Sequence, residues 1–204
     1  MYNFIGQTTK LLKSSSNYQK YYATNKYTTA GYGMPNCTTY SLGRVNQLQD
    51  LNNLSYNNFS GWHGNGEDWG ESGMIGANWS HSQIPKLGAV ACFKDVSGEG
   101  GHVAIVEEIL EHGNVTISNS GWAGSSQVGN ENAPTWWWLN ENINIKTHRS
   151  NSFKYYLYPP FIDDEPGPGP GPGPGPTPTP INKNSFNWIL YNTKKRLQKH
   201  RNMI

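Results

Sequence analysis

Apolar positions change their spacing twice along this chain, and the two changes predict its layout. The first thirty residues are polar and Tyr-rich (Tyr18, Tyr21, Tyr22, Tyr27), with a first helix expected around Thr8–Lys20. From Cys37 onward, Leu42, Val45 and Leu48 recur at close to helical spacing, which predicts a helix of about three turns running toward Asp50. Pro35 or Asn36 stands where such a helix would begin. Residues 52–82 are rich in Gly, Asn and Trp and read as loops with short helical turns. Beyond Pro85 the texture becomes that of strands, at 88–94, 102–110, 115–120 and 153–158. A Gly-rich turn at 95–101 and the tight turn His112-Gly113-Asn114 separate the first three. Consecutive hairpins build an antiparallel sheet, and helices followed by such a meander are an α+β pattern.

Past Pro159-Pro160 the chain cannot build a core. Residues 166–180 alternate Pro with Gly and end in Thr-Pro-Thr-Pro, so they lack backbone donors and carry high chain entropy. The expected organisation is a domain over 1–160, a linker over 161–180 and a tail over 181–204. A fully extended linker of this kind reaches at most about 46 Å, at roughly 3.1 Å per residue. The tail is too short to fold alone. Its Phe186, Ile189, Leu190, Thr193 and Leu197 share one helical face, with Lys194, Lys195, Arg196, Lys199 and Arg201 supplying charge. A basic amphipathic helix suits an anionic surface such as lipid or teichoic acid, and a disordered solubilising tail fits the same composition equally well.

Charge sharpens that division. Residues 1–180 hold 10 Lys/Arg against 14 Asp/Glu, whereas 181–204 hold six Lys/Arg and no acid. No basic face spans the domain, so a nucleic-acid partner is not expected. Only 15% of residues are charged and eight are Trp. That composition suits a protein handling polar, sugar-containing polymers, and equally suits an Asn-rich protein of an AT-rich genome. The opening residues show no basic region followed by an apolar run, so no signal peptide is expected, and no stretch approaches the roughly 18 apolar residues of a membrane span. Two cysteines make no disulfide framework. Cys92 lies in an apolar run and is expected in the core, and a bridge from it to Cys37 would consume the other thiol.

Cys37 is where chemistry concentrates. It stands at a predicted helix start, where the positive end of the helix dipole favours a thiolate. Gly100 and Gly101 precede His102, letting the backbone approach closely and leaving the ring exposed at a strand start. Asn119 ends the neighbouring strand, at the same end of the sheet, with an amide oxygen able to accept from an imidazole N–H. Together they form a nucleophile, a base and an orienting group. The other histidines lie in loops, turns or the tail. No H-x-x-x-H or C-x-x-C spacing occurs, so neither a metal nor another cofactor is expected.

These segments carry a resemblance. Asn36-Cys37-Thr38-x-Tyr40-x-x-Gly43-Arg44, Gly88-Ala89-Val90-Ala91, Gly101-His102-Val103-Ala104-Ile105-Val106-Glu107 and Ile117-Ser118-x-Ser120-Gly121-Trp122 resemble, in order, the motifs of CHAP domains. The resemblance covers roughly 22–158. It implies a papain-like fold related to NlpC/P60 enzymes and a peptidoglycan hydrolase, either an N-acetylmuramoyl-L-alanine amidase or a cross-bridge endopeptidase. It further implies Cys37 as nucleophile, His102 as base and Asn119 as orienter, with the Cys37 backbone N–H helping to hold the oxyanion. A CHAP-like domain, a Pro-rich linker and a short tail resemble a phage endolysin, which implies synthesis in a host cytoplasm and holin-type release. Trp62, Trp69, Trp79 and Trp122 are expected to shape the groove, stacking on glycan or flanking the stem peptide. At least one of Trp136, Trp137 and Trp138 is expected in the core. No acid occurs over 23–36, so no calcium loop precedes Cys37. The other class of function compatible with these residues is a catalytically silent wall- or surface-binding module.

Overall fold

Residues 2–54, 64–71, 79–148 and 151–162 are described by the computed structural model. The basic tail and all but the first two residues of the expected linker lie outside them. The fold is α+β. Among the described residues, six strands form one sheet: β1 Ser80–Ser82, β2 Val90–Phe93, β3 His102–Ile109, β4 Val115–Asn119, β5 Trp138–Ile143 and β6 Phe153–Tyr158. Their order is β1-β6-β2-β3-β4-β5, and every neighbouring pair is antiparallel. The helices are α1 Lys26–Thr29, α2 Cys37–Leu51 and α3 Ile145–His148. Among the described residues, no helix is long and apolar enough to cross a membrane.

The four strands legible in the sequence are the four interior ones. β2 and β4 are buried at every position, so both their faces must be apolar or small. The two strands without a sequence signal, β1 and β5, are the sheet's edges. β1 is three polar residues, and β5 runs Trp-Leu-Asn-Glu-Asn-Ile with half-exposed and exposed positions. Short, polar edges deter pairing with other chains and therefore lack the apolar run that marks an interior strand.

Alternation along the strands splits the core in two. Val90, Cys92, Val103, Ile105 and Leu157 meet α2 through Tyr40, Leu42 and Val45. Ala91, Phe93, Ala104, Val106, Ile117 and Tyr156 face the other way, against Ile145 of α3 and Ile162. Helix α2 begins where the side chain of Asn36 accepts from the N–H groups of Thr38 and Thr39, at 2.9 and 3.0 Å. Cys37 is thereby the first helical residue.

The helix expected over Thr8–Lys20 is not there. A single π-helical turn, Tyr18–Tyr22, follows an irregular arm. The arm's backbone groups serve distant partners instead of a helical ladder. The Gln7 N–H donates to Glu107 at 2.8 Å, the Ile5 carbonyl accepts from Arg44, and the Leu11 carbonyl accepts the Trp136 indole N–H at 2.7 Å. A Thr- and Ser-rich stretch gains little from helix formation, so these tertiary bonds win.

Arg44 and Glu107 join the arm, α2 and the sheet. The Arg44 Nε and Nη2 donate to the two Glu107 carboxylate oxygens at 3.0 and 2.9 Å, and both side chains are 1% exposed. The Ser118 hydroxyl donates to the same carboxylate at 2.7 Å. Burial disfavours the charged guanidinium, but the Glu107 charge and hydrogen bonds outweigh it and hold its pKa above the ordinary arginine value. Removing one partner leaves the other charge buried without compensation. Glu107→Ala should cost about 3–5 kcal/mol in urea unfolding, and Arg44→Met combined with Glu107→Leu should recover most of it.

Candidate active site

A cavity of about 620 Å³ opens where the start of α2, the start of β3 and the end of β4 converge. Cys37 and His102 both line it, with Tyr27, Tyr32, Trp122 and Trp138 among the aromatic walls. Helix α2 delivers Cys37 from its first position, 9% exposed. The backbone N–H groups of Val103, Thr38 and Cys37 itself face the thiol. Val103, next to His102, thus contributes one of the N–H groups that lower the thiol's pKa.

His102 opens β3 because two close approaches are permitted there. Gly101 has φ +72°, and a Cβ on it would lie 2.5 Å from the Phe93 carbonyl and 2.7 Å from the Glu67 N. A Cβ on Gly66 would lie 2.9 Å from three backbone atoms of His102 itself. The turn Gly66–Asp68 thus rests against the histidine's backbone, fastened by a Glu67 N–H to Gly100 carbonyl bond of 3.0 Å. The imidazole lies between Phe93, with centroids 5.9 Å apart, and Trp138, nearly parallel to it at 6.5 Å.

Asn119 ends β4 and is 2% exposed. Its Oδ1 is 2.9 Å from His102 Nε2. Its Nδ2 donates to Asn140 Oδ1 at 2.8 Å and to the Ile117 carbonyl at 3.2 Å. The structure therefore brings Cys37, His102 and Asn119 to one end of the sheet, with the acceptor end of the amide turned to the ring. A thiol and an imidazole line one cavity, and an amide oxygen meets the imidazole from behind, the residue types of a nucleophile, a base and an orienting group.

The four predicted groove tryptophans separate. Trp122 is 53% exposed, lines the cavity and pairs with the equally open Tyr32, centroids 6.2 Å apart. Trp69 is fully buried, its indole N–H donating to the Tyr27 hydroxyl at 3.0 Å and its carbonyl accepting from Tyr155 at 2.8 Å. Trp79 is also buried in the core. Both were expected to touch substrate, and instead they belong to the core, where large apolar side chains fill space at interior packing density. Trp62 lies outside the described residues. Of the Trp triplet, Trp136 is fully buried, Trp137 is half-buried on the core, and Trp138 lines the cavity.

Tyr27, Tyr32, Gly66, Trp138 and Asn140 had no functional reading from the sequence. Trp138 stood within a conspicuous triplet, but Asn140 is one Asn among many, and only the pairing of β4 with β5 distinguishes it.

Burial raises the Cys37 thiol above its ordinary pKa, and the three N–H groups around it pull the other way without overcoming it. Burial raises Cys92 as well. The folded state thus favours the neutral thiol, and the thiolate fraction at Cys37 grows only as pH rises. Its alkylation by iodoacetamide, followed from about pH 6 to about pH 10, should climb through a midpoint above the free-thiol value. A rate already at its plateau near neutral pH would overturn that reading. Cys92 should react only after unfolding.

Residues 26–121 match the CHAP domain family, a span that holds Cys37, His102 and Asn119. The chain is also similar to a probable autolysin, LDP, of Staphylococcus aureus (strain NCTC 8325 / PS 47), with 32% identity over 109 residues. That alignment takes in 53% of this chain and 34% of the relative, so the chain spans about a third of that protein's length.

Proposed function

Residues 26–121 carry a CHAP domain, and from that footing we propose that the protein is a peptidoglycan hydrolase that opens an amide bond with the Cys37 thiol. The observation that carries the reading is the row itself: a thiol at a helix start, an imidazole lining the same cavity, and a buried amide oxygen 2.9 Å from the imidazole Nε2. Similarity to a probable autolysin supports a wall substrate.

In this mechanism His102 Nδ1 takes the thiol proton as Sγ attacks the scissile carbonyl carbon. The Cys37 N–H, beside the sulfur, donates to the oxygen that gains charge. Collapse of the tetrahedral intermediate breaks the C–N bond, and His102 returns the proton to the leaving amine. Water then attacks the thioester carbonyl, its proton passing to His102; the C–S bond breaks, the acid leaves, and His102 returns the proton to the Cys37 sulfur. Burial raises the thiol's pKa, which fits proton transfer to His102 during attack. Both an N-acetylmuramoyl-L-alanine amide and a cross-bridge peptide present the carbonyl this scheme needs. Mass spectrometry of digested walls separates them, by a glycan end stripped of peptide or by a new peptide amine.

Cys37→Ala should abolish clearing of Gram-positive cell walls while leaving the melting temperature near that of the wild type. Clearing at the wild-type rate would end the proposal. The exposed Tyr32–Trp122 pair at the cavity mouth is assigned to substrate binding. Trp122→Ala should therefore raise KM several-fold, about what one stacked ring contributes, with kcat little changed.

A further inference from the structure

We propose that Trp138 and Asn140, on the edge strand β5, are positioning residues that set the tautomer of His102. The inference rests on the Cys37–His102–Asn119 reading and extends it beyond the matched segment 26–121.

An indole N–H can donate and cannot accept. Trp138 Nε1 lies 3.1 Å from a terminal side-chain atom of Asn140, so that atom must be the amide oxygen, Oδ1. The same oxygen lies 2.8 Å from an Asn119 side-chain atom, which must then be the donor end, Nδ2. The Ile117 carbonyl, an acceptor only, faces that Nδ2 at 3.2 Å and demands the same orientation. The other end of the Asn119 amide is therefore the oxygen, and it faces His102 Nε2 at 2.9 Å. An amide oxygen only accepts, so Nε2 must carry the hydrogen. A neutral imidazole has one N–H, which leaves the lone pair on Nδ1, the nitrogen that must receive the thiol proton.

The polarity of this row thus runs from the Trp138 indole through two amides to the imidazole. Turning the Asn119 amide over would set its oxygen against two other oxygens, those of Asn140 and Ile117. The β-ladder makes the arrangement possible. Asn119 stands opposite Trp138 and Ile117 opposite Asn140, so Asn140 reaches Asn119 on the diagonal. The same bond holds the Trp138 ring 19° from parallel to the imidazole.

The test uses the full chain in wall-clearing assays over a range of wall concentrations, with melting temperatures and pH profiles for each variant. Asn140→Leu should lose about ten-fold in kcat with KM unchanged, the size expected when a supporting hydrogen bond behind an active side chain is removed. Trp138→Phe keeps the ring and removes the donor, and should lose about three-fold, the worth of one neutral hydrogen bond. Asn140→Asp still accepts from both donors and should restore most of the rate. Its added negative charge should move the acidic limb of kcat/KM to higher pH by favouring the imidazolium. Glu67, Lys94, Asp95 and Glu99, the charged residues of the neighbouring turn and loop, are the same in every variant and cancel in the comparison.

Wild-type kcat in Asn140→Leu would overturn the proposal. So would an Asn140→Asp protein as impaired as Asn140→Leu, or one whose acidic limb does not move, because a purely structural role predicts both. If Asn140→Leu fails to fold, Asn140→Asp and Trp138→Phe decide by the same criteria. Cys37→Ala is assayed beside them. Full clearing by that variant fails the underlying reading, whereas its inactivity together with wild-type clearing by Asn140→Leu fails only this proposal.

Discussion

The buried fork between Arg44 and Glu107 is the constraint on which the site depends. Arg44 lies seven residues beyond Cys37 on the same helix, Glu107 five beyond His102 on the same strand, and Ser118, which donates to Glu107, directly precedes Asn119. One carboxylate therefore indexes the three elements that deliver thiol, imidazole and amide. A bidentate guanidinium–carboxylate pair has little freedom to slide or rotate, and away from water an alternative pairing would strand a charge. The irregular N-terminal arm is drawn into the same network through the Gln7 N–H and the Ile5 carbonyl. Such a pair adds less to net stability than its geometry suggests, because desolvation opposes it. Its effect is to make one register of α2 on β3 and β4 far better than its neighbours.

Around that frame the site is arranged by close approach and by polarity. Close approach is the work of glycines: Gly66 and Gly101 let a helical turn and a strand start share space that any Cβ would fill. Polarity is the work of groups that can only donate or only accept, which orient the amides between them. Burial raises the pKa of the thiol, and the Asn119 amide oxygen fixes which imidazole nitrogen it faces. Edge strand β5 takes part in this arrangement through Asn140, whose oxygen accepts from Asn119 and from the Trp138 indole.

The interior of the sheet and the start of α2 were legible because they obey local rules. Strands buried on both faces show as apolar runs, and Asn36 before a helical repeat marks a cap. Cys37, His102 and Asn119 stood out by their local settings, a helix start, a glycine pair before a strand, and a strand end. Edge strands were not legible, since β1 and β5 are polar by necessity. The N-terminal segment misled for a related reason: its backbone bonds run to residues up to 125 positions away, and no local window contains them. Trp69 and Trp79 looked like groove residues because they sit in Gly/Asn-rich sequence, yet a loop's composition does not say which way it folds.

The sequence by itself determined the fold class, the interior strands and the residue types at the heart of the site, because helix capping, strand alternation and glycine permissiveness act within a few neighbours. Tertiary structure alone decided which tryptophans face the cavity, that Arg44 answers Glu107, and that Asn140 stands behind Asn119. Those outcomes depend on which strands pair and in which register, a choice made by the summed burial of the whole sheet rather than by any segment of it.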